Sequence, residues 1–303
     1  MRPILLAALL MAAAPLASAG LDDAKAAYES GRYSDAVQLL MAAAKQGDAK
    51  AECGLGVMYE HGRGVPQDLG RAMEWYLKSA AQGNASAENN LGYLYFTGQG
   101  VDRNDDQAFQ WYSKAVAGRS GKDDWDASIA WTNLGNMHYW GHGTAKDPGK
   151  AAECWQHAVD LDNPYAANDL AYLYEHGLGV AKDEPRSLTL YRKAADQGYA
   201  HAESNLAVMY ETGQGTMQDY PEALKWFGEA AAKGSGFAQF KLGRFYERGL
   251  GVKADPVEAY RWYLSADRKG EERAKDALAR MRTLLSPAQQ AEGEKRAAAG
   301  ARP

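Results

Sequence analysis

Histidines, cysteines and glycine doublets are the residues of this chain whose types and spacing could do chemistry. Six histidines are present. His138 and His142 lie four apart, a ligand spacing on a helix, but Gly141 falls between them where a helix would end. His61 and His176 share one phase in two identical Tyr-Glu-His-Gly runs, while the cognate positions carry Trp140, Thr212 and Arg248. A metal site needs three or four convergent ligands, and neither His-Glu-x-x-His nor clustered Cys/His spacing occurs. Doublets such as Gly98-x-Gly100 and Gly213-x-Gly215 would cradle phosphate after a strand and before Gly-Lys-Ser/Thr; here they follow a helical pattern. No Ser-His-Asp set or nucleophile elbow is visible. The expectation is no catalytic residue, no metal ligand and no cofactor.

The elements that would position any side chain come from a repeat. The pair Leu-Gly or Leu-Ala recurs at Leu55, Leu91, Leu134, Leu170, Leu206, Leu242 and Leu278, with gaps of 36, 43, 36, 36, 36 and 36 residues. Such a period marks an array whose units bury their apolar faces on one another. Within the first unit, Ala51, Leu55 and Tyr59 share one helical face. Gly62-Arg63-Gly64 ends that helix, Asp68 caps the next, and Ala72, Trp75, Tyr76 and Ala80 form the second helix's face before Gly83. Asn104 replaces the capping Asp in the second unit, and Asp147-Pro148 and Asp255-Pro256 pair a cap with a first-turn proline. Each unit therefore reads as a helix hairpin.

The pattern A-x-A-x-x-x-L-G-x-x-Y-x-x-G-x-G-V-x-x-D-x-x-x-A-x-x-W-Y-x-x-A-A, carried by residues 49–270, resembles the Sel1-like repeat, a relative of the tetratricopeptide repeat. The resemblance implies an all-α, right-handed superhelical solenoid of helix hairpins. It implies partner binding, with the first helix of each unit lining a concave face. Exported proteins that resemble this one act as regulators of sensor kinases, as scaffolds of envelope machinery or as toxin immunity partners. Some relatives with a disulfide in every repeat are credited with β-lactamase activity, so a β-lactamase-like or peptidoglycan-acting hydrolase is the alternative. Only Cys53 and Cys154 are present, in units one and three, too far apart for a bridge if helices pack about 8–10 Å from one another. Two free thiols are expected.

Phase then selects candidate partner-binding residues. With the leucine and tyrosine in the core, positions two and five before the leucine and two, five and six after it face the groove. The strongest candidates are Asn89, Tyr93, Phe96, Asn136, Tyr139, Trp140, Tyr165, Asn168 and Tyr172, where large rings crowd positions that unit one fills with Lys50, Cys53, Val57, Glu60 and His61. Exposed Tyr and Trp dominate binding energy, and Asn side chains can hydrogen-bond an extended segment. The partner expected is another protein or peptide segment, bound by a monomer.

The ends complete the layout. Residues 1–19 read as a Sec leader, from Arg2 through the apolar Ile4–Ala14 run to Ala17-Ser18-Ala19, with cleavage after Ala19 and a periplasmic or secreted product. Residues 20–48 read as a tetratricopeptide-like capping hairpin, and 49–270 as six repeats with an insertion near 119–126. Residues 271–303 read as a half-repeat, a capping helix and a tail. A formal charge of −5 without a basic stripe argues against nucleic acid, and no run is long enough to span a membrane.

Overall fold

A computed structural model describes residues 18–117 and 125–300. Among them the chain is entirely helical and forms a solenoid of helix hairpins. The chain divides into two compact bodies, Met1–Asn163 and Pro164–Pro303. The N-terminal body holds α1 (Ser18–Glu29), α2 (Tyr33–Ala44), α3 (Ala49–His61), α4 (Leu69–Ala81), α5 (Ala85–Thr97), α6 (Asp105–Val116), α7 (Trp125–Trp140) and α8 (Pro148–Asp160). The C-terminal body holds α9 (Pro164–His176), α10 (Glu184–Asp196), α11 (Ala200–Thr212), α12 (Tyr220–Ala232), α13 (Gly236–Arg248), α14 (Pro256–Arg268), α15 (Arg273–Leu284) and α16 (Pro287–Ala299). The expected leader lies outside the described residues except for its last two positions, which open α1. The expected insertion also lies outside them, except that its last two residues, Trp125 and Asp126, begin α7.

Local chemistry places the helix ends. Asp48, Asp68, Asn84, Asn104, Asp147, Asp183, Asp219, Ser235 and Asp255 each accept a backbone amide from the first turn of the following helix. Gly62 ends α3 at φ 65°, a conformation only glycine takes at little cost. The second glycine of that turn has another duty. A Cβ on Gly64 would strike the carbonyl of Tyr33 at 2.5 Å, so the turn seats on the first residue of α2 in the preceding hairpin. Gly100 lies against Leu69 in the same way, and Gly215 against Glu184.

The glycine after the repeat leucine is equally constrained. A Cβ at Gly92 would lie 2.7 Å from the Tyr112 ring, and one at Gly243 would lie 2.5 Å from the ring of Tyr263. Gly56 meets Tyr76, and Gly135 meets Trp155, just as closely. Four hairpins are thus closed by an aromatic of the second helix packed on a bare glycine of the first, while the repeats of Leu170 and Leu206 carry Ala171 and Ala207 in that slot. Tyr76 and Tyr263 also tie back by a hydroxyl, donating to Glu60 at 2.6 Å and to Glu247 at 2.5 Å, and Tyr191, at the same phase but opposite Ala171, donates to Glu175 at 2.9 Å.

Neither cysteine is in a disulfide, and both are buried. At the C-terminal end, α16 lies along α14, where Arg296 pairs with Glu258 at 3.4 Å.

Candidate functional site

The candidate residues sort by helix. In the N-terminal body, α5 carries Asn89, Tyr93 and Phe96, and α7 carries Asn136, Tyr139 and Trp140. The two helices are joined through side chains, since Asn133 Nδ2 donates to Asn89 Oδ1 at 2.9 Å. In the C-terminal body α9 carries Tyr165, Asn168 and Tyr172, and the same bond recurs: Asn205 Nδ2 of α11 donates to Asn168 Oδ1 at 3.0 Å.

This ladder corrects the expectation for Asn89. The residue is only 3 % exposed and already spends its carbonyl on the next repeat, so it has almost no surface for a partner. The position two before the leucine is also buried at Cys53, Thr132 and Ser204, because helix-to-helix packing of successive repeats falls there. Asn168 remains half-buried and gives its amide to Asp169 at 3.0 Å. The donor asparagines escaped the sequence reading, although the recurring Asn-Leu at 90–91, 133–134 and 205–206 was a visible signal.

Tyr139 needs a second correction. It occupies the slot that Glu60, Glu175 and Glu247 fill elsewhere, and its ring lies 5.5 Å from Trp155, the residue that closes its own hairpin. Tyr139 is therefore partly a core residue, and its removal would cost stability as well as surface. Phe96 fills the same slot in repeat two. Its ring meets His142 edge-on at 5.4 Å and lies beneath the Arg103 guanidinium at 5.2 Å. Arg103 and His142 both contact Asp105, at 2.8 Å and 3.0 Å, and the hydrogen bond from Arg103 leads in keeping that carboxyl below its usual range.

Surface is offered by the positions two and six after the leucine. Trp140 is 62 % exposed, with its ring edge-on to Tyr139 at 4.8 Å. Tyr172 is 41 % exposed and lies 4.2 Å from the His176 ring. Tyr93 and Asn136 are half-buried, and the Asn136 side chain makes no hydrogen bond among the described residues. Tyr165 packs against Tyr199 at 4.8 Å, and burial beside Asp169 pushes the Tyr199 hydroxyl up to about 12. Burial likewise raises the Asp169 carboxyl to about 6. Among the described residues no cluster of three or more His, Cys, Asp or Glu side chains could hold a metal ion, and no helix is long and apolar enough to cross a membrane.

A succession of helix hairpins, four of them closed by an aromatic on glycine, with rings and amides on the first helices α5, α7 and α9, defines a helical-repeat scaffold. The particular repeat is identified by comparison: the Sel1 repeat model matches residues 49–84, 85–118, 130–163, 164–199, 200–235 and 236–270, and the chain belongs to that family. Among solved structures it is similar to c5321, a protective antigen of uropathogenic Escherichia coli displaying an SLR fold. That match has 30 % identity and a TM-score of 0.78, covering 94 % of this chain and 62 % of that one. A Sel1 repeat protein from Oxalobacter formigenes matches at 30 % identity and a TM-score of 0.70, covering 82 % of this chain and 96 % of that one. This chain therefore spans less than two thirds of the length of the first of these. No curated protein sequence matches it.

Proposed function

We propose that this chain is an exported docking module that holds a segment of another protein against the exposed face of its first helices. Sel1 repeat proteins generally mediate protein–protein interaction and serve as non-catalytic scaffolds. The observation that carries the reading onto this chain is Trp140, a ring 62 % exposed at the end of a first helix, with Tyr172 at 41 % in the next repeat. Trp and Tyr are the side chains that most often anchor interfaces, and both rings offer apolar area that a partner would remove from water.

The test is site-specific cross-linking in the native host. A benzophenone amino acid replaces Trp140 or Tyr172, and Leu77, exposed on the second helix of repeat one, serves as the control. An envelope protein trapped from position 140 but not from 77 supports the reading, and one trapped from 172 supports it separately for the C-terminal body. The protein trapped from 140, purified, should bind about tenfold more weakly to Trp140→Ala. Trapping from 77 alone overturns it. Export is checked by the intact mass of the envelope fraction, expected to begin at Gly20.

A further inference from the structure

The geometry points to the chemistry of the docked segment in the N-terminal body: an uncharged, proline-containing stretch in the extended polyproline conformation, seated across α5 and α7. This rests on the docking function proposed above and narrows it.

Four observations converge. The first is the absence of charge. The outward positions on α5 and α7 themselves are Tyr93, Thr97, Ile129, Asn133, Asn136 and Trp140, none of them an acid, a base or a histidine; the nearest charged groups, Arg103 with Asp105 and Lys146, lie beyond the helix ends against Phe96 and Tyr139. The cognate positions of repeat six include Lys241, Arg244 and Arg248, so the repeat does not require neutrality there. A charge laid along the helices, away from those ends, would lose hydration without gaining a partner.

The second is Asn136. Its amide is half-buried and makes no hydrogen bond among the described residues. A Cδ-bearing proline segment offers backbone carbonyls with no internal partner, because the polyproline helix makes no hydrogen bonds of its own. An asparagine amide donates to such a carbonyl. An amphipathic helix, by contrast, satisfies its own backbone and would leave Asn136 covered and unpaired, at a desolvation cost.

The third is spacing. Asn136 and Trp140 are four apart on α7 and so project from one face, with Asn133 one turn behind. Tyr93 holds in α5 the position that Asn136 holds in α7, and the two helices are fastened by the Asn133–Asn89 bond. The face therefore alternates ring, amide and ring across two neighbouring helices. That alternation suits a ligand whose rings and carbonyls alternate, and aromatic-lined grooves with a few donors recognise polyproline segments in this way.

The fourth is the state of Trp140. Its ring is 62 % exposed and held edge-on by Tyr139, 86° between planes, which leaves a flat face for a pyrrolidine ring.

The test selects a random-peptide phage library on the purified full chain, then measures the enriched peptides by fluorescence polarisation. Enrichment of neutral, proline-containing sequences is expected. Their binding should fall about tenfold with Trp140→Ala and with Asn136→Ala, and should not weaken at high salt. Circular dichroism verifies that each variant stays folded. Enrichment of charged or amphipathic-helical sequences overturns the inference, as does binding untouched by either substitution. If the selected peptides depend on Tyr172 instead of Trp140, the docking function stands and this assignment falls. No enrichment over an unrelated bait, with no cross-linked partner at 140 or 172, removes both. Maltoheptaose displacing the peptides from Trp140 would make the face a saccharide platform and also overturns it.

Discussion

Replacing Gly92 by alanine tests the packing argument at its sharpest point. In an ordinary helix the change stabilises by up to about 1 kcal/mol, because glycine loses more backbone freedom on folding. Here the new methyl would stand 2.7 Å from two carbons of the Tyr112 ring, against an ordinary carbon separation of about 3.5–4.0 Å. The ring would have to retreat by about 1 Å. It is only 3 % exposed, in a cluster with Ala108, Ala130, Leu134 and Met137, so it has no free direction to take. Overpacking of this kind costs about 1–3 kcal/mol. Against the helix-propensity gain, a net loss of about 1–2 kcal/mol is expected at the α5–α6 hairpin. Gly228→Ala is the matched control: it is mid-helix in α12 with nothing within 4 Å of the added atom, and should stabilise by about 0.5–1 kcal/mol. Urea unfolding followed by far-ultraviolet circular dichroism gives both midpoints, compared transition by transition because repeat arrays need not melt all-or-none. If Gly92→Ala is as stable as the parent or more so, the aromatic-on-glycine closure is not what fixes the hairpin. The chain itself indicates where tolerance lies. Alanine stands in this slot at Ala171, where the tyrosine–glutamate bond of the same repeat is 2.9 Å, longer than the 2.6 Å and 2.5 Å seen where the slot is glycine.

Two further outcomes follow from buried groups. Burial raises the Asp169 carboxyl to about 6 from its ordinary 3.8, so its contribution to stability is fully present below about pH 3.8 and is lost as pH rises through about 6. Asp169→Asn should therefore raise the melting temperature at pH 7.5, by an amount equivalent to at most about 3 kcal/mol, and the gain should shrink towards pH 4; a pH-independent effect would refute this. Cys53 and Cys154 are unbridged and buried, and burial pushes the Cys154 thiol up to about 12. Native protein should resist Ellman's reagent, while the denatured chain without reductant should give two thiols, and fewer would mean a bridge the fold does not allow.

What the residue order determined by itself was the periodic part. Helix starts at Asp68, Asn104 and Asp255, the helix end at Gly62, and the core faces through Leu55 and Tyr76 depend on contacts within a few turns, so type and spacing specify them. That the outward positions of α5 and α7 carry no acid or base was legible for the same reason, being a matter of phase. What only the tertiary structure decided was how far each exposed phase is covered by the neighbouring repeat. Asn89 and Asn136 look alike in sequence, yet one accepts the amide of Asn133 and is buried while the other is left without a hydrogen bond. Tyr139 and Trp140 are adjacent, yet one leans on Trp155 and the other stands in water. Side-chain burial in a solenoid is set by the next helix pair, about 36 residues on in the chain, and that lateral packing is not written in the phase of one helix.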